Sequence, residues 1–392
     1  MKRLRVLYLD TAFEDVAGGD KNRSRFLWWA LGERFEVGLV LLGQPPAAGG
    51  HFQPLAVLPT QPPPFPRPGA APAFAAADQD RLVQIVRDGQ FQVVFARFTV
   101  AWELLVRLER ALPSLTIVVD VDMVSSRLVA LTWAAHRSFK KRWFLFEKWK
   151  LEYFERQLFR QPWLFLFTNA AEMHGVSHAA TPGSAPGKFA LLPNIMPPAR
   201  ELNPPRQRVI LFFGSLDSSA NVDGFQFLVD EVLPRLEADL KRHDVKIRVA
   251  GKNPPAAFAK RLRARGTDRV ELVGPVDSIE QALAESLFVL LPLRIASGTR
   301  TRILEAAALG RAVVTTPIGA EGLDLGDTVL IGETAGELSD HARALLDDPA
   351  AAGELGRRLR ARALALYATT KVANDLAQAV INFHSRTEGA VP

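Results

Sequence analysis

The chain has no cysteine among its 392 residues. That excludes disulfides, thiol nucleophiles and thiolate metal sites. It also lacks any apolar run approaching the roughly 18 residues needed to span a bilayer. The opening segment MKRLRVLYLD holds too short an apolar stretch for a secretory signal and leads directly into polar sequence. The expected location is therefore cytoplasmic. Histidines such as His136, His174 and His178 show no ligand-pair spacing. No nucleic-acid-binding motif is present, so nucleic acid is not an expected partner.

What is present describes a globular protein. Hydrophobic residues make up 48% and charged residues 23%, and the length suits two or three domains. The net charge of +6 is unevenly placed. Residues 1–200 carry 24 Lys+Arg against 17 Asp+Glu, whereas the remainder carries 24 against 25. Much of the excess sits in Arg137–Arg160, with eight basic and three acidic residues. The same stretch places Phe139, Trp143, Phe146, Trp149 and Tyr153 at helical spacing. A basic, aromatic, amphipathic helix can lie on an anionic membrane surface, which would make the protein peripheral to a membrane. Alternatively, the aromatic stripe packs into the domain and the basic residues stay solvated.

Apolar strand-length runs alternate with helical patterns along the whole chain. In the first half the strands are expected at Leu4–Leu9, Glu36–Leu42, Gln92–Phe95, Thr116–Val121 and Leu164–Thr168. Gln44–Asp78, rich in Pro, Ala and Gly, reads as a long surface excursion. Pro193-Asn194-Ile195-Met196-Pro197-Pro198 reads as a hinge. A second series follows, with strands at Val209–Phe213, Lys246–Ala250, Val270–Val273, Phe288–Leu291, Ala312–Thr315 and Val329–Ile331. Two successive βα series predict an α/β protein of two Rossmann-like, doubly wound parallel sheets. The expected domains are 1–200 and 201–370, with a C-terminal helix at about 371–392 packing back onto the first. Ligands of such sheets bind at the carboxyl ends of the strands, here in the cleft between domains.

The richest segment runs from Leu290 to Leu323, LLPLRIASGTRTRILEAAALGRAVVTTPIGAEGL. A buried strand runs into a small-residue turn, Ala296-Ser297-Gly298-Thr299, which opens a helix over Arg300–Leu309. Small residues let a ligand approach the backbone. The free N–H groups of the first helical turn, with the positive end of the helix dipole, suit a diphosphate. Arg300 and Arg302 add fixed positive charge. Glu305 lies eight residues past Ser297, two helical turns on and near the same face.

This segment resembles the donor-nucleotide site of family 4 glycosyltransferases, whose fold is GT-B. The family signature is two glutamates separated by seven residues. Glu305 matches the second, and Ser297 stands where the first would fall. A subgroup with a Gly/Ser-Gly-Thr-Arg turn shares that departure. The resemblance implies that Glu305 holds the ribose hydroxyls of a nucleotide sugar. It implies that Ser297, Gly298, Thr299 and Arg300 meet its diphosphate. Leu211–Leu216 is similar to the family's first donor-domain turn, with Gly214 and Ser215 beside the sugar diphosphate. Where the family has a Lys-Gly pair, Asp223-Gly224 stands, so Lys252 and Arg294 are the substitute cations. Val273 and Gly274 resemble the strand whose backbone recognises the base.

In the first half, Gly18, Gly19, Asp20 and Arg23 follow the first strand and resemble the family's glycine loop, which closes over diphosphate and acceptor. Asp20 could equally be a helix N-cap. Asp120-Val121-Asp122 ends an apolar strand, and period-two alternation puts both carboxylates on one face. A metal is physically possible there, but the GT-B resemblance implies none. It implies instead that Asp122, or else Asp120, meets the acceptor or donor sugar. The function so implied is transfer, with retention, of a sugar from a nucleotide diphosphate sugar, a substrate rather than a cofactor. The acceptor would be a glycan or lipid-linked hydroxyl in bacterial surface polysaccharide or glycolipid synthesis. An inactive nucleotide-binding scaffold and a nucleotide-sugar hydrolase or epimerase are the alternatives.

Overall fold

A computed structural model describes residues 3–11, 19–43, 53–61, 73–97, 101–135, 143–179, 187–199, 208–296, 298 and 300–389. The chain divides into two compact units. The first comprises Met1–Arg127, Arg142–Asn194 and Thr369–Pro392, and the second Leu128–Lys141 and Ile195–Ala368.

In the first unit, β1 (Arg5–Asp10), α1 (Gly19–Arg34), β2 (Glu36–Leu42), β3 (Ala56–Leu58), α2 (Ala76–Asp88) and β4 (Val93–Arg97) come first. Then follow α3 (Trp102–Ala111), β5 (Thr116–Val121), α4 (Ser125–Ala135, which passes into the second unit's span), α5 (Trp143–Leu158), β6 (Leu164–Phe167), α6 (Ala170–Ala179) and β7 (Phe189–Leu191). The seven strands lie in the order β3-β2-β1-β4-β5-β6-β7, and every pair is parallel. A parallel sheet needs both faces covered, and its strands accordingly read as continuous apolar runs. Val6, Leu7, Tyr8 and Leu9 of β1 are fully buried, as are Val93 to Ala96 of β4. Two strands were not expected from sequence. β3 lies inside the Pro-rich excursion and β7 just before the hinge. Each has three residues, too few to show a period.

The second unit runs β8 (Val209–Phe213), α7 (Ser219–Phe227), a π-helical turn (Leu228–Val232), α8 (Leu233–Arg242), β9 (Lys246–Ala250), α9 (Ala256–Arg265), β10 (Val270–Gly274) and α10 (Ile279–Glu285). It continues β11 (Phe288–Leu291), α11 (Thr301–Ala308), β12 (Val313–Thr315), α12 (Pro317–Ala320), β13 (Leu330–Ile331), α13 (Ala335–Asp347) and α14 (Pro349–Tyr367). Its six strands are also all parallel, in the order β10-β9-β8-β11-β12-β13. Phe225 stacks flat on Phe258, with centroids 3.8 Å apart, in the core beneath β8 and β9. The last helix, α15 (Thr369–Glu388), belongs to the first unit. Asn374 accepts from Arg34 at 2.8 Å, and His384 bonds Thr116 at 2.8 Å.

One close approach fixes how α14 lies on the second unit. A Cβ at Gly356 would stand 1.9 Å from the Gly310 carbonyl oxygen, a backbone atom. Replacing a mid-helix glycine by alanine ordinarily gains about 1 kcal/mol. Gly356→Ala is expected instead to lose about 1–3 kcal/mol through overpacking, read as a lower urea midpoint. An unchanged or raised midpoint would refute this packing.

Candidate functional site

The second unit gathers glycines where its strands end. β8 leads into Gly214, whose φ of +146° favours glycine. A Cβ there would stand 2.7 Å from Asn221 Nδ2 and 2.8 Å from Arg302 Nη1. Gly251 ends β9, and its Cβ would fall 1.8 Å from the Gly214 carbonyl oxygen. Gly274 closes β10 and accepts from the Gly251 amide at 2.7 Å. At Gly214 and Gly251 the missing side chains let backbone, Asn221 and Arg302 pack closely, while a Cβ at Gly274 would meet nothing within 4 Å. Val273, half-buried, precedes Gly274.

Arg302, in the first turn of α11, spans this corner. Its Nη1 donates to the Phe213 carbonyl at 2.8 Å and to Asn221 Oδ1 at 2.6 Å. Asn221 in turn donates to the Ser215 carbonyl at 2.7 Å. The N-terminus of α11 is therefore fastened to the turn after β8. Burial drives the Arg302 guanidinium down to about 10, with the Glu305 carboxylate opposing. Burial likewise pushes the Glu305 carboxyl up, with Arg302 opposing. Two opposite charges thus stand within one helical turn at a desolvated strand end.

The turn before α11 is held by arginines. Gly298 is buried with φ +72°, and its carbonyl accepts from Arg300 Nη1. Arg300 Nε also donates to the Ile318 carbonyl of α12 at 3.1 Å. Ser297 and Thr299 lie outside the described residues. Arg294 donates to both carboxylate oxygens of Asp223, at 3.0 and 2.8 Å, and stacks 4.5 Å from the Phe227 ring centre. Bonding to Asp223 raises the Arg294 pKa. The Asp223 of the Asp-Gly pair is itself fully buried and anchors the Arg294 guanidinium. Lys252 is exposed, and its carbonyl accepts from the Leu216 amide at 2.9 Å. Ser215 donates from Oγ to Asp217 at 2.7 Å.

The first unit buries a charge cluster at the ends of β1, β4 and β5. Arg97 and Asp120 are both fully buried, and Arg97 Nη1 donates to Asp120 Oδ2 at 2.8 Å. Arg23 of α1 grips the same carboxylate through Nε at 3.0 and 3.2 Å. It also donates to the Leu192 carbonyl at 3.0 Å and to Asn194 Oδ1 at 2.9 Å. Burial pushes the Asp120 carboxyl up, but Arg23 and then Arg97 outweigh it and hold it below the ordinary value. Asp10 has weaker support. Burial raises its pKa against bonds from Ser24 and Tyr8 and the more distant Arg97. Asp122 lies 3.7 Å from Arg97 Nη2 and is the carboxylate of this cluster whose side chain reaches the surface, at 12% exposed. The expected face-sharing of Asp120 and Asp122 is real, and guanidinium groups supply the cations that the pair engages. Gly18 lies outside the described residues. Gly19 and Asp20 open α1, with the Asp20 side chain outside them too.

On α5 the aromatic stripe faces outward. Phe146, Trp149 and Tyr153 are 53%, 60% and 52% exposed and stack in sequence at 6.2 and 6.4 Å. Phe154, off the stripe, packs on Trp102. The reading in which the stripe packs inward is therefore wrong for these residues. The Phe139 and Trp143 side chains lie outside those described. No helix among the described residues is long and apolar enough to cross a membrane.

Sequence reasoning did not assign Arg97 or Asn221 to a site, named Arg302 only as positive charge beside the turn, and named Asp223 only as a departure from the family's Lys-Gly pair. A charged residue closing the apolar run Val93–Ala96 was the signal for Arg97. No local signal marked Asn221, since its role depends on a residue 81 positions away.

Comparison with known proteins accords with this geometry. Residues 207–348 match the family model described as Glycosyl transferases group 1. No curated protein matches the chain. Among solved structures, sucrose-phosphate synthase from Thermosynechococcus elongatus superposes with a TM-score of 0.67 at 17% identity, covering 98% of this chain and 100% of that one. WaaG, a glycosyltransferase involved in lipopolysaccharide biosynthesis, gives 0.65 at 16%, covering 96% and 99%. Anabaena HepE in complex with UDP-glucose gives 0.60 at 14%, covering 97% and 100%. The chain spans 59% of the length of TarM, which it also matches. The fold is GT-B, with two parallel-sheet α/β domains.

Two stability outcomes follow. A carboxyl whose pKa is raised on folding destabilises the protein once pH exceeds its unfolded value. Glu305→Gln should therefore raise the urea midpoint at pH 7, by about 1 kcal/mol. The gain should vanish as pH falls and the wild-type carboxyl becomes neutral. A loss of stability at pH 7 would contradict the desolvated carboxylate. Asp120→Ala leaves two buried guanidinium groups without their shared partner and should cost about 3–5 kcal/mol. Asp122→Asn, at the surface end of the cluster, should cost less than about 1 kcal/mol. Equal costs would overturn the ranking.

Proposed function

We propose that the protein is a glycosyltransferase that moves a sugar from a nucleoside diphosphate sugar to an acceptor hydroxyl. The observation that carries this reading is the corner where Arg302 ties the α11 turn to Gly214, inside the segment matched by the Glycosyl transferases group 1 model. HepE, which shares the fold, has been solved with UDP-glucose, and WaaG acts in lipopolysaccharide biosynthesis. These support a nucleotide-sugar donor and an acceptor belonging to a surface polysaccharide or glycolipid.

In this reading the diphosphate lies against Gly214 and the amides of Ser297, Gly298 and Thr299 at the N-terminus of α11. Glu305 accepts hydrogen bonds from the ribose hydroxyls, and the backbone at Val273 and Gly274 meets the base. Breaking the sugar–phosphate bond puts negative charge on the departing diphosphate. Fixed cations stabilise that charge more in the transition state than in the ground state. Arg302 is the guanidinium nearest Gly214. Arg300 holds the turn through the Gly298 and Ile318 carbonyls, Arg294 adds to its positive field, and Lys252 is exposed. This positive charge suits a metal-independent reaction. Asp122 receives the acceptor or the transferred sugar, and the sugar keeps its anomeric configuration. The outward aromatic ridge of α5 would let the protein rest on an anionic membrane surface while it acts on a lipid-linked acceptor.

Thermal-shift binding with UDP, GDP, ADP, dTDP and CMP tests the donor site. One diphosphate should stabilise the protein by about 2.7 kcal/mol at 100 times its dissociation constant, and Glu305→Ala should abolish the effect. In a transfer assay with the sugar donor so identified, Arg302→Ala should lower turnover on the order of 10²–10³-fold, with Arg302→Lys intermediate. No shift with any nucleotide would sink the proposal. Binding without turnover would favour a scaffold, which Ser297 and Asp223 at family-divergent positions would then explain. Donor consumption without acceptor product would indicate a hydrolase.

A further inference from the structure

The turn after β8 and the start of α11 are joined through a side chain to which the donor reading gives no task. Asn221 lies in the first turn of α7 and is buried. Its Nδ2 donates to the Ser215 carbonyl at 2.7 Å, and its Oδ1 accepts from Arg302 Nη1 at 2.6 Å. An amide can donate on one side and accept on the other. A carboxylate in its place could accept but not donate. Gly214 makes room for the contact, since a Cβ there would stand 2.7 Å from Asn221 Nδ2 and 2.8 Å from Arg302 Nη1.

These bonds hold Arg302 without cancelling its charge. Nη1 carries two hydrogens, and both go to neutral oxygens, one on Phe213 and one on Asn221. Among the described residues Arg302 makes no ion pair, and its Nε and Nη2 have no acceptor. Glu305 acts on it only through its field, against a larger loss of solvation.

Arg294 shows the alternative. It closes onto the carboxylates of Asp223 and Glu231, at 2.8 and 3.5 Å. The charge of Arg294 is thus answered from within the protein, whereas that of Arg302 is fixed in place and left unanswered. A guanidinium short of both water and a counter-ion gains most from an arriving anion.

We propose that Asn221 is a positioning residue for the diphosphate: it fixes Arg302 beside the Gly214 turn through a neutral acceptor, so that the guanidinium charge remains for the phosphates. The inference rests on the donor reading and adds to it a reason for an amide at position 221. Asn221 acts through Arg302 and not on the phosphates themselves.

Isothermal titration of the full chain with inorganic pyrophosphate, a diphosphate without base or sugar, tests it. Wild type should bind one to one. Asn221→Ala should bind about tenfold more weakly, since a hydrogen bond to a charged group is lost. Asn221→Asp has the same size and still accepts from Arg302. It should nevertheless bind on the order of 10²-fold more weakly, because its charge cancels that of the guanidinium. In an Arg302→Gln background, Asn221→Ala should change the affinity by less than about twofold, as expected when one residue acts only through the other. A residue that only shaped the turn would cost the same in both backgrounds. Should Asn221→Ala lose its cooperative thermal transition, Asn221→Ser takes its place in the cycle. Equal losses in the two backgrounds would overturn the proposal, as would an Asn221→Asp protein that binds as tightly as wild type. If wild type binds a nucleoside diphosphate of the thermal-shift panel but no pyrophosphate, the donor reading stands and this inference falls. Binding of neither removes the donor reading and the inference with it.

Discussion

A parallel sheet covered on both faces has nowhere to do chemistry except at the ends of its strands. Both units obey this constraint. Along β4, β8 and β11, and along β1 from Val6, the side chains are apolar and buried until the last position or just beyond it. There the composition changes abruptly, to Asp10 and Arg97 in one unit and to Gly214 and Arg294 in the other. Every candidate residue discussed above owes its position to that arrangement.

The two units meet the constraint by different physics. The first buries charge and must compensate it. Asp120 is held by two guanidinium groups, and Arg23 spends its remaining donors on Asn194 and the Leu192 carbonyl. A half-satisfied version would be worse than an apolar core. Asp122 is left at the surface end of a rigid base. The second unit removes side chains instead. Its glycines let strand ends and side chains pack closely, and one arginine, Arg302, joins the glycine corner to the helix that would face a diphosphate. Asp223 buried beneath Arg294 shows the same economy. The buried carboxylate holds a cation, Arg294, just past the end of β11.

Much of this was legible in the sequence. The boundaries of β2, β5, β8, β9 and β11 agree with the apolar runs that mark them. Such runs are unambiguous because both sheet faces are buried. The start of α11 was legible to within one residue, because the small residues ahead of Arg300 mark a break between a strand and a helix. The short strands β3 and β7 were not, having too few residues for a pattern. Nor was the outward face of α5. Helical spacing shows that Phe146, Trp149 and Tyr153 share a side, but not which side the rest of the fold covers. The Arg302–Asn221 and Arg97–Asp120 contacts were hidden for a related reason. They join residues far apart in sequence, brought together only by strand order.

The account stands on the claim that the corner between Gly214 and the start of α11 is a nucleoside diphosphate site. A crystal structure of the chain with a bound nucleoside diphosphate tests it most directly. The account predicts phosphate oxygens within about 3 Å of backbone amides at Gly298 and Thr299, ribose hydroxyls on Glu305, and Arg302 still bridging to Phe213. Nucleotide bound elsewhere, with Glu305 making no ribose contact, would contradict it.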